Sequence, residues 1–185
     1  MTYSLVKPSA KILPSFLSAL DEGKFIAMQL GHGDWAKEKI VADPNGYITL
    51  LNDPAPFTIT RNEQHYSITE HELLWITRNG TDEFLGTIAM RYAGNDELIK
   101  VYAWHIGMAI RPGLLNKGYG IRSIAVCMDE IRTRSMERGL TFLVATCNET
   151  NTASSRLMQH FGFQFEERYE DKLFGGYGLR YKLVF

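Results

Sequence analysis

Apolar and polar positions along this chain change period several times, and each change marks an element. Residues 3–7 (Tyr-Ser-Leu-Val-Lys) form a short strand-like run. Over 11–22, Ile12, Leu13, Phe16, Leu17 and Leu20 share one helical face; Pro14 is tolerable in the first turn and Gly23 is a natural stop. Residues 30–35 (LGHGDW) read as irregular. A second helix is expected over parts of 36–53, interrupted at Pro44-Asn45-Gly46 and ended by Pro54 and Pro56. Residues 57–70 are polar and carry no clear period. From Glu72 the pattern turns to strands: ELLWIT, a turn at Arg78-Asn79-Gly80-Thr81, then EFLGTIAMRY. Asn-Gly between two such runs is a hairpin signal.

After a turn at Gly94-Asn95-Asp96, residues 99–110 form the next strand-like run, and 104–134 carry the strongest local signal. There Ile106, Met108 and Ile110 stop at Arg111-Pro112, and a short loop presents Gly118 and Gly120. Ile121, Ile124, Ala125, Met128 and Ile131 then recur at helical spacing up to Gly139. Strand, glycine loop and helix start make an anion cradle, because small residues let backbone N–H groups at a helix N-terminus approach a phosphate. A continuous apolar strand over 141–147 follows, then a helix over 148–161 capped by Thr150 or Asn151 and stopped at Gly162. Two last strands, roughly 163–169 and 179–184, flank Gly175-Gly176. Hairpins join the early strands and helices join the later ones. That order predicts an α/β (α+β) domain: a mixed sheet with helices on both faces, parallel around the central crossover.

Composition changes this picture little. At 185 residues the chain reads as one domain over 1–185, and a net charge of −1 gives no electrostatic case for nucleic acid. The arginines at 132, 134 and 138 are interspersed with Glu130 and Glu137, as on a solvated helix face. Cys127 and Cys147 stand in no metal-type spacing and read as buried free thiols suited to a reducing compartment. No apolar run approaches the ~20 residues of a membrane span, and the N-terminus lacks the apolar core of a signal peptide. A cytoplasmic protein without membrane contact or metal is expected, with oligomeric state, a homodimer included, left open.

Two motifs carry a family likeness. Ile110-Arg111-Pro112 followed by Leu115-Asn116-Lys117-Gly118-Tyr119-Gly120 resembles the acetyl-CoA signature of the GNAT N-acetyltransferases, hydrophobic-x-Pro and then Gln/Arg-x-x-Gly-x-Gly/Ala. Residues Asn148-Glu149-Thr150-Asn151-Thr152-Ala153-Ser154-Ser155-Arg156, ending in Gly162-Phe163, look like the second GNAT motif. Together they cover about 100–165. Two positions depart from the pattern. The Gln/Arg position is Leu115, and Met158 stands where many relatives place a tyrosine that protonates the departing thiolate.

The resemblance implies a mostly antiparallel sheet of about 6–7 strands with a splayed central parallel pair, here about 104–110 and 141–147. It also implies acetyl-CoA as co-substrate and a primary amine of a small molecule or protein as acceptor. On that basis the backbone of 116–121 (Asn116, Lys117, Gly118, Tyr119, Gly120, Ile121), with Leu115, would seat the pyrophosphate. Met108, Ala109 and Ile110 would border the thioester, with an N–H near Ala109 or Ile110 as oxyanion donor. Asn148 and Asn151 would meet pantetheine or hold the strand-to-helix turn, and Ser154 would serve as the acid or as a contact on the CoA side. His105 is the candidate general base, since a lysine-like amine is neutral in only about one molecule in 2,500 at pH 7. His32, Asp34, Trp35, Glu170, Asp171 and Tyr181 would recognise a cationic acceptor. A non-catalytic acyl-CoA binder with the same fold is the rival reading. A nucleotide fold is disfavoured, because the loop lacks G-x-x-x-x-G-K-[ST] and the third glycine of G-x-G-x-x-G.

Overall fold

The computed structural model describes residues 2–23, 36–61, 64–94, 105–171 and 175–185. In chain order these form β1 (Tyr3–Val6), α1 (Leu13–Leu20), α2 (Lys37–Ala42), α3 (Pro44–Leu51), β2 (Phe57–Arg61), β3 (Gln64–Arg78) and β4 (Phe84–Gly94). They continue as β5 (Ile106–Ile110), α4 (Tyr119–Glu137), β6 (Phe142–Asn148), α5 (Thr152–His160), β7 (Gln164–Glu170) and β8 (Tyr177–Val184). Of the residues proposed from sequence, His32, Asp34 and Trp35 lie outside the described residues.

The eight strands make two sheets rather than one sheet of 6–7. The first has the order β1-β3-β4-β5, with β2 also on β3; the second has the order β6-β8-β7. Every ladder is antiparallel. The 15-residue β3 serves three neighbours, because its first residues pair with β2 and its last with β1. Residues 57–61 and 64–70, read as polar and aperiodic, therefore belong to the sheet: the pairing of β2 with β3 gives that backbone its hydrogen bonds without apolar alternation. The helix expected over parts of 36–53 is interrupted, as two helices, but the break falls at Asp43, and Pro44-Asn45-Gly46 forms the first turn of α3. Asp43 caps it by accepting the Gly46 N–H at 2.8 Å, and Pro44 sits where its missing N–H costs nothing.

Alternation along β3 separates the two core layers. Leu73 and Trp75 pack with Phe16, Ile40, Tyr47 and Phe84 under α1–α3, whereas Leu74 and Ile76 pack with Ile124, Met128 and Ile131 of α4. The second layer continues through Leu143, Ala145, Met158, Phe163 and Tyr181, so one apolar cluster draws on both sheets. Gly86 on β4 lies so close to β5 that a Cβ there would stand 2.4 Å from the Ala109 carbonyl oxygen. Among the described residues no helix is long and apolar enough to cross a membrane.

Candidate functional site

The site lies between β5 and β6, which belong to different sheets and share no ladder. In an antiparallel pair each residue points its N–H and C=O to the same side, and the side alternates. His105 accepts from the Arg91 N–H, and Arg111 donates to the Leu85 carbonyl, both at 2.8 Å. Odd-numbered residues of β5 therefore face β4, and the backbones of Ile106, Met108 and Ile110 face away from it. On β6, Glu149 donates to Tyr177 and Thr141 accepts from Phe185. Odd-numbered positions there face β8, leaving Val144, Thr146 and Asn148 pointing outward. Two bare strand edges thus confront one another.

A side chain bridges them. The Val144 N–H donates to Nδ1 of His105 at 3.0 Å. His105 is 5% exposed, and its ring also stands edge-on to Phe142 at 5.4 Å between centroids. Beyond that contact the strands part. Ile106, Gly107 and Met108 line one wall of a cavity of about 260 Å³, and Ala145, Thr146, Cys147 and Asn148 line the other. Both strands leave the His105–Val144 contact with rising residue number, so they run in the same sense. Asn151, Ser154, Leu157 and Met158 of the α5 segment close one side, and Tyr169 and Asp171 another.

The His105 ring cannot serve as a base while it holds this position. Burial, and secondarily the Arg180 cation, lower its pKa to about 4, so it is neutral near pH 7. With Nδ1 accepting from Val144, the proton of the neutral ring sits on Nε2 and no lone pair is left for an amine. The reading of His105 as general base is corrected on that ground.

The glycine loop begins with a 3-10 turn (Pro112–Leu114). Asn116 and Gly118 both adopt left-handed backbone (φ 59° and 74°), and α4 starts at Tyr119. No described residue accepts from the backbone N–H groups of 116–121; Arg122 makes the first helical bond, to Gly118. Four of these donors, at 118–121, stand at the positive end of a 19-residue helix, beside Lys117 and Arg122. Leu115 is 53% exposed and offers no polar anchor. The loop is tied to α1 instead. Arg111 pairs with Glu22 through Nε and Nη2 and reaches Ser15 at 3.2 Å, while the other Glu22 oxygen accepts the Gly113 N–H at 2.8 Å. The Arg111 bond, foremost, holds the Glu22 carboxyl below the usual carboxylate range.

The remaining proposed residues divide. Met108, Asn148, Asn151, Ser154 and Asp171 line the cavity. Both asparagines also build the strand-to-helix turn: Asn148 Oδ1 accepts from the Thr150 N–H and hydroxyl, and Asn151 Oδ1 caps α5 at Ser154. Ala109 is corrected as oxyanion donor, because its N–H is turned toward β4; Met108 and Ile110 present theirs to the gap. Tyr181 is corrected as acceptor ligand. It is 2% exposed, and its hydroxyl is bonded to Ser155 Oγ at 2.6 Å on the α5 side of the sheet. Glu170 is exposed at the end of β7 and lines no wall of the cavity.

Sequence reading missed Tyr169, Thr146 and Cys147. Tyr169 pairs across the sheet with Gly178, where a Cβ would stand 2.5 Å from its ring, and it lines the cavity with Thr146. An aromatic opposite a glycine was the available signal. Burial, chiefly, and the nearby Asp171 raise the Tyr169 pKa, so the phenol keeps its proton near neutrality. Cys147, half-buried, has its thiol pushed up by burial.

Comparison with known proteins yields a consistent result. The chain matches the family model of the acetyltransferase (GNAT) domain over residues 32–164. No curated protein sequence matches it. Solved structures match along its whole length. A GNAT-family acetyltransferase from Bacillus anthracis shares 16% identity with a TM-score of 0.61, covering 100% of this chain and 95% of that one. RimL, the ribosomal L7/L12 alpha-N-protein acetyltransferase, in complex with CoA as a cysteine disulfide, shares 16% identity with a TM-score of 0.63 and coverages of 100% and 94%. MccE, the microcin C7 self-immunity acetyltransferase, in complex with acetyl-CoA and AMP, shares 13% with a TM-score of 0.62 and coverages of 100% and 93%. At these identities the likeness speaks for the fold.

Proposed function

This chain belongs to the GNAT family of acetyltransferases, and we propose that it works as one cytoplasmic domain transferring acetyl from acetyl-CoA to a primary amine of a small molecule or protein. The observation that carries the reading is the alignment of three features. A set of four backbone donors at 118–121 seats a pyrophosphate. Two bare strand edges lead away from it and can pair with the amides of pantetheine, as an added strand would. A cavity between them has room for the thioester.

In this reading the amine attacks the thioester carbonyl directly, and the C–S bond breaks as the tetrahedral intermediate collapses. The N–H groups of Met108 and Ile110 face the gap and are the candidates to stabilise the developing oxyanion, a contribution of roughly 3 kcal/mol for one well-placed donor. The departing thiolate takes a proton from Ser154 or Tyr169, and the proton that the nitrogen gives up as the amide forms restores that donor through water. Tyr169 supplies a phenol in the cavity that Met158, also lining it, does not. Asp171 attracts the cationic form of the acceptor, which loses its proton to water or to this carboxylate before attack.

Isothermal titration with acetyl-CoA, CoA and ATP tests the first half, with the two coenzymes expected to bind in preference to ATP. Release of free CoA thiol against a panel of amines, including polyamines and short peptides with free N-termini, tests the second. Binding without thiol release for any amine would favour a non-catalytic acyl-CoA binder, a reading to which Leu115 and Met158 lend support.

A further inference from the structure

We infer that His105 is a positioning residue, the clasp that fixes where β5 and β6 separate. Val144 is fully buried, and its N–H points out of its own sheet toward β5. A buried N–H must find an acceptor. Were it to find a carbonyl of β5, the two edges would begin a parallel ladder and the gap would close from that end. His105 Nδ1 takes the proton instead, and an imidazole ring is interposed between the strands. The residue is held on both sides, since its backbone carbonyl accepts from Arg91 on β4 and its ring packs edge-to-face with Phe142 on β6. The cavity begins at the next residue of each strand, Ile106 and Ala145. The clasp therefore sets the spacing of the edges that carry Met108 and Ile110 on one side and Thr146 on the other.

The kinetic arm of this inference rests on the acetyl-CoA reading above; the structural arm does not. Two variants separate a clasp from a base. His105→Asn places a carbonyl oxygen where Nδ1 stands and has no basic nitrogen. His105→Leu has similar bulk and no acceptor. Amide hydrogen exchange at Val144 is measured in the free protein, acetyl-CoA affinity by titration, and acetyl transfer to the best amine of the panel between pH 6.5 and 9.

The expected result is that the Asn variant keeps Val144 protection, affinity within threefold and an unchanged pH profile. The Leu variant exchanges Val144 at least tenfold faster and binds acetyl-CoA at least tenfold more weakly. If the Leu variant does not fold, the Asn variant alone decides. An Asn variant that binds normally but transfers acetyl a hundredfold more slowly, with rescue at high pH, would overturn the clasp in favour of a base. Unchanged Val144 exchange in the Leu variant would overturn it outright. A wild-type protein that fails to bind acetyl-CoA refutes the functional reading, while the exchange result still judges the clasp.

Discussion

A histidine kept neutral inside the protein makes stability depend on pH in a defined direction. His105 has a native pKa of about 4 against an ordinary 6.5, because burial, and then the Arg180 cation, oppose its charge. Between those values the unfolded chain binds a proton that the native chain refuses. Stability contributed at this position is therefore complete above pH 6.5, falls as pH drops through the window, and levels off below about 4. The difference of about 2.5 pKa units corresponds to about 3 kcal/mol at 1.36 kcal/mol per unit. That is a large share of the 5–15 kcal/mol typical of a domain. Carboxylates titrate in the same range, so the comparison to make is between wild type and His105→Asn by urea denaturation at half-unit steps from pH 4 to 7.5. The Asn variant lacks the titrating ring. The difference between the two stability curves should change by about 3 kcal/mol across the window, with wild type losing more on acidification. A difference that stays flat within about 0.5 kcal/mol, or slopes the other way, would refute the neutral, buried assignment and with it the donor direction at Nδ1.

Glu22→Gln removes the charge that fastens the glycine loop to α1. Because the pair is partly exposed, the loss is about 1 kcal/mol, and acetyl-CoA affinity should fall about fivefold by titration with little change in melting temperature. Tyr169→Phe keeps the ring over Gly178 but removes the proton; turnover should drop at least tenfold at unchanged acetyl-CoA affinity, and equal turnover would leave Ser154 as the donor. Cys147 borders the cavity, so acetyl-CoA should slow its alkylation by N-ethylmaleimide severalfold, read by mass spectrometry. Cys127, fully buried with its pKa pushed up to about 12, should stay unreacted with or without ligand. Gly86→Ala drives a methyl into the Ala109 carbonyl and should cost about 1–3 kcal/mol in chemical denaturation.

Local signals in the sequence translated well into structure. The glycine loop is legible because left-handed backbone at Gly118 and a helix start at Tyr119 are short-range consequences of residue type, and the Asn151 cap is local in the same way. The break near Pro44 was legible too, and only its place shifted: Asp43 has the chemistry of a cap, so Pro44 opens the next helix. What the sequence withheld depends on distant pairing. The acceptor state of His105 is set by Val144, 39 residues away, and by the side of the strand that Val144 turns to β5. Ala109 and Ile110 are neighbours with opposite fates for the same reason: register on β4, and not residue type, decides which amide is free. Tyr181 and Tyr169 exchange roles similarly, one facing α5 and the other the cavity. An aromatic in a terminal strand says nothing of its face until the hairpin register is known.

The two facing edges have a further consequence for self-association. An unpaired strand edge invites another polypeptide strand, and proteins usually blunt it with charge, a bulge or a cover. Here β5 and β6 are left bare over Ile106–Ile110 and Thr146, but they look into a narrow slot closed at one end by an imidazole. The two edges face one another across a cavity, so neither is offered outward as a template on which a strand of another copy could add.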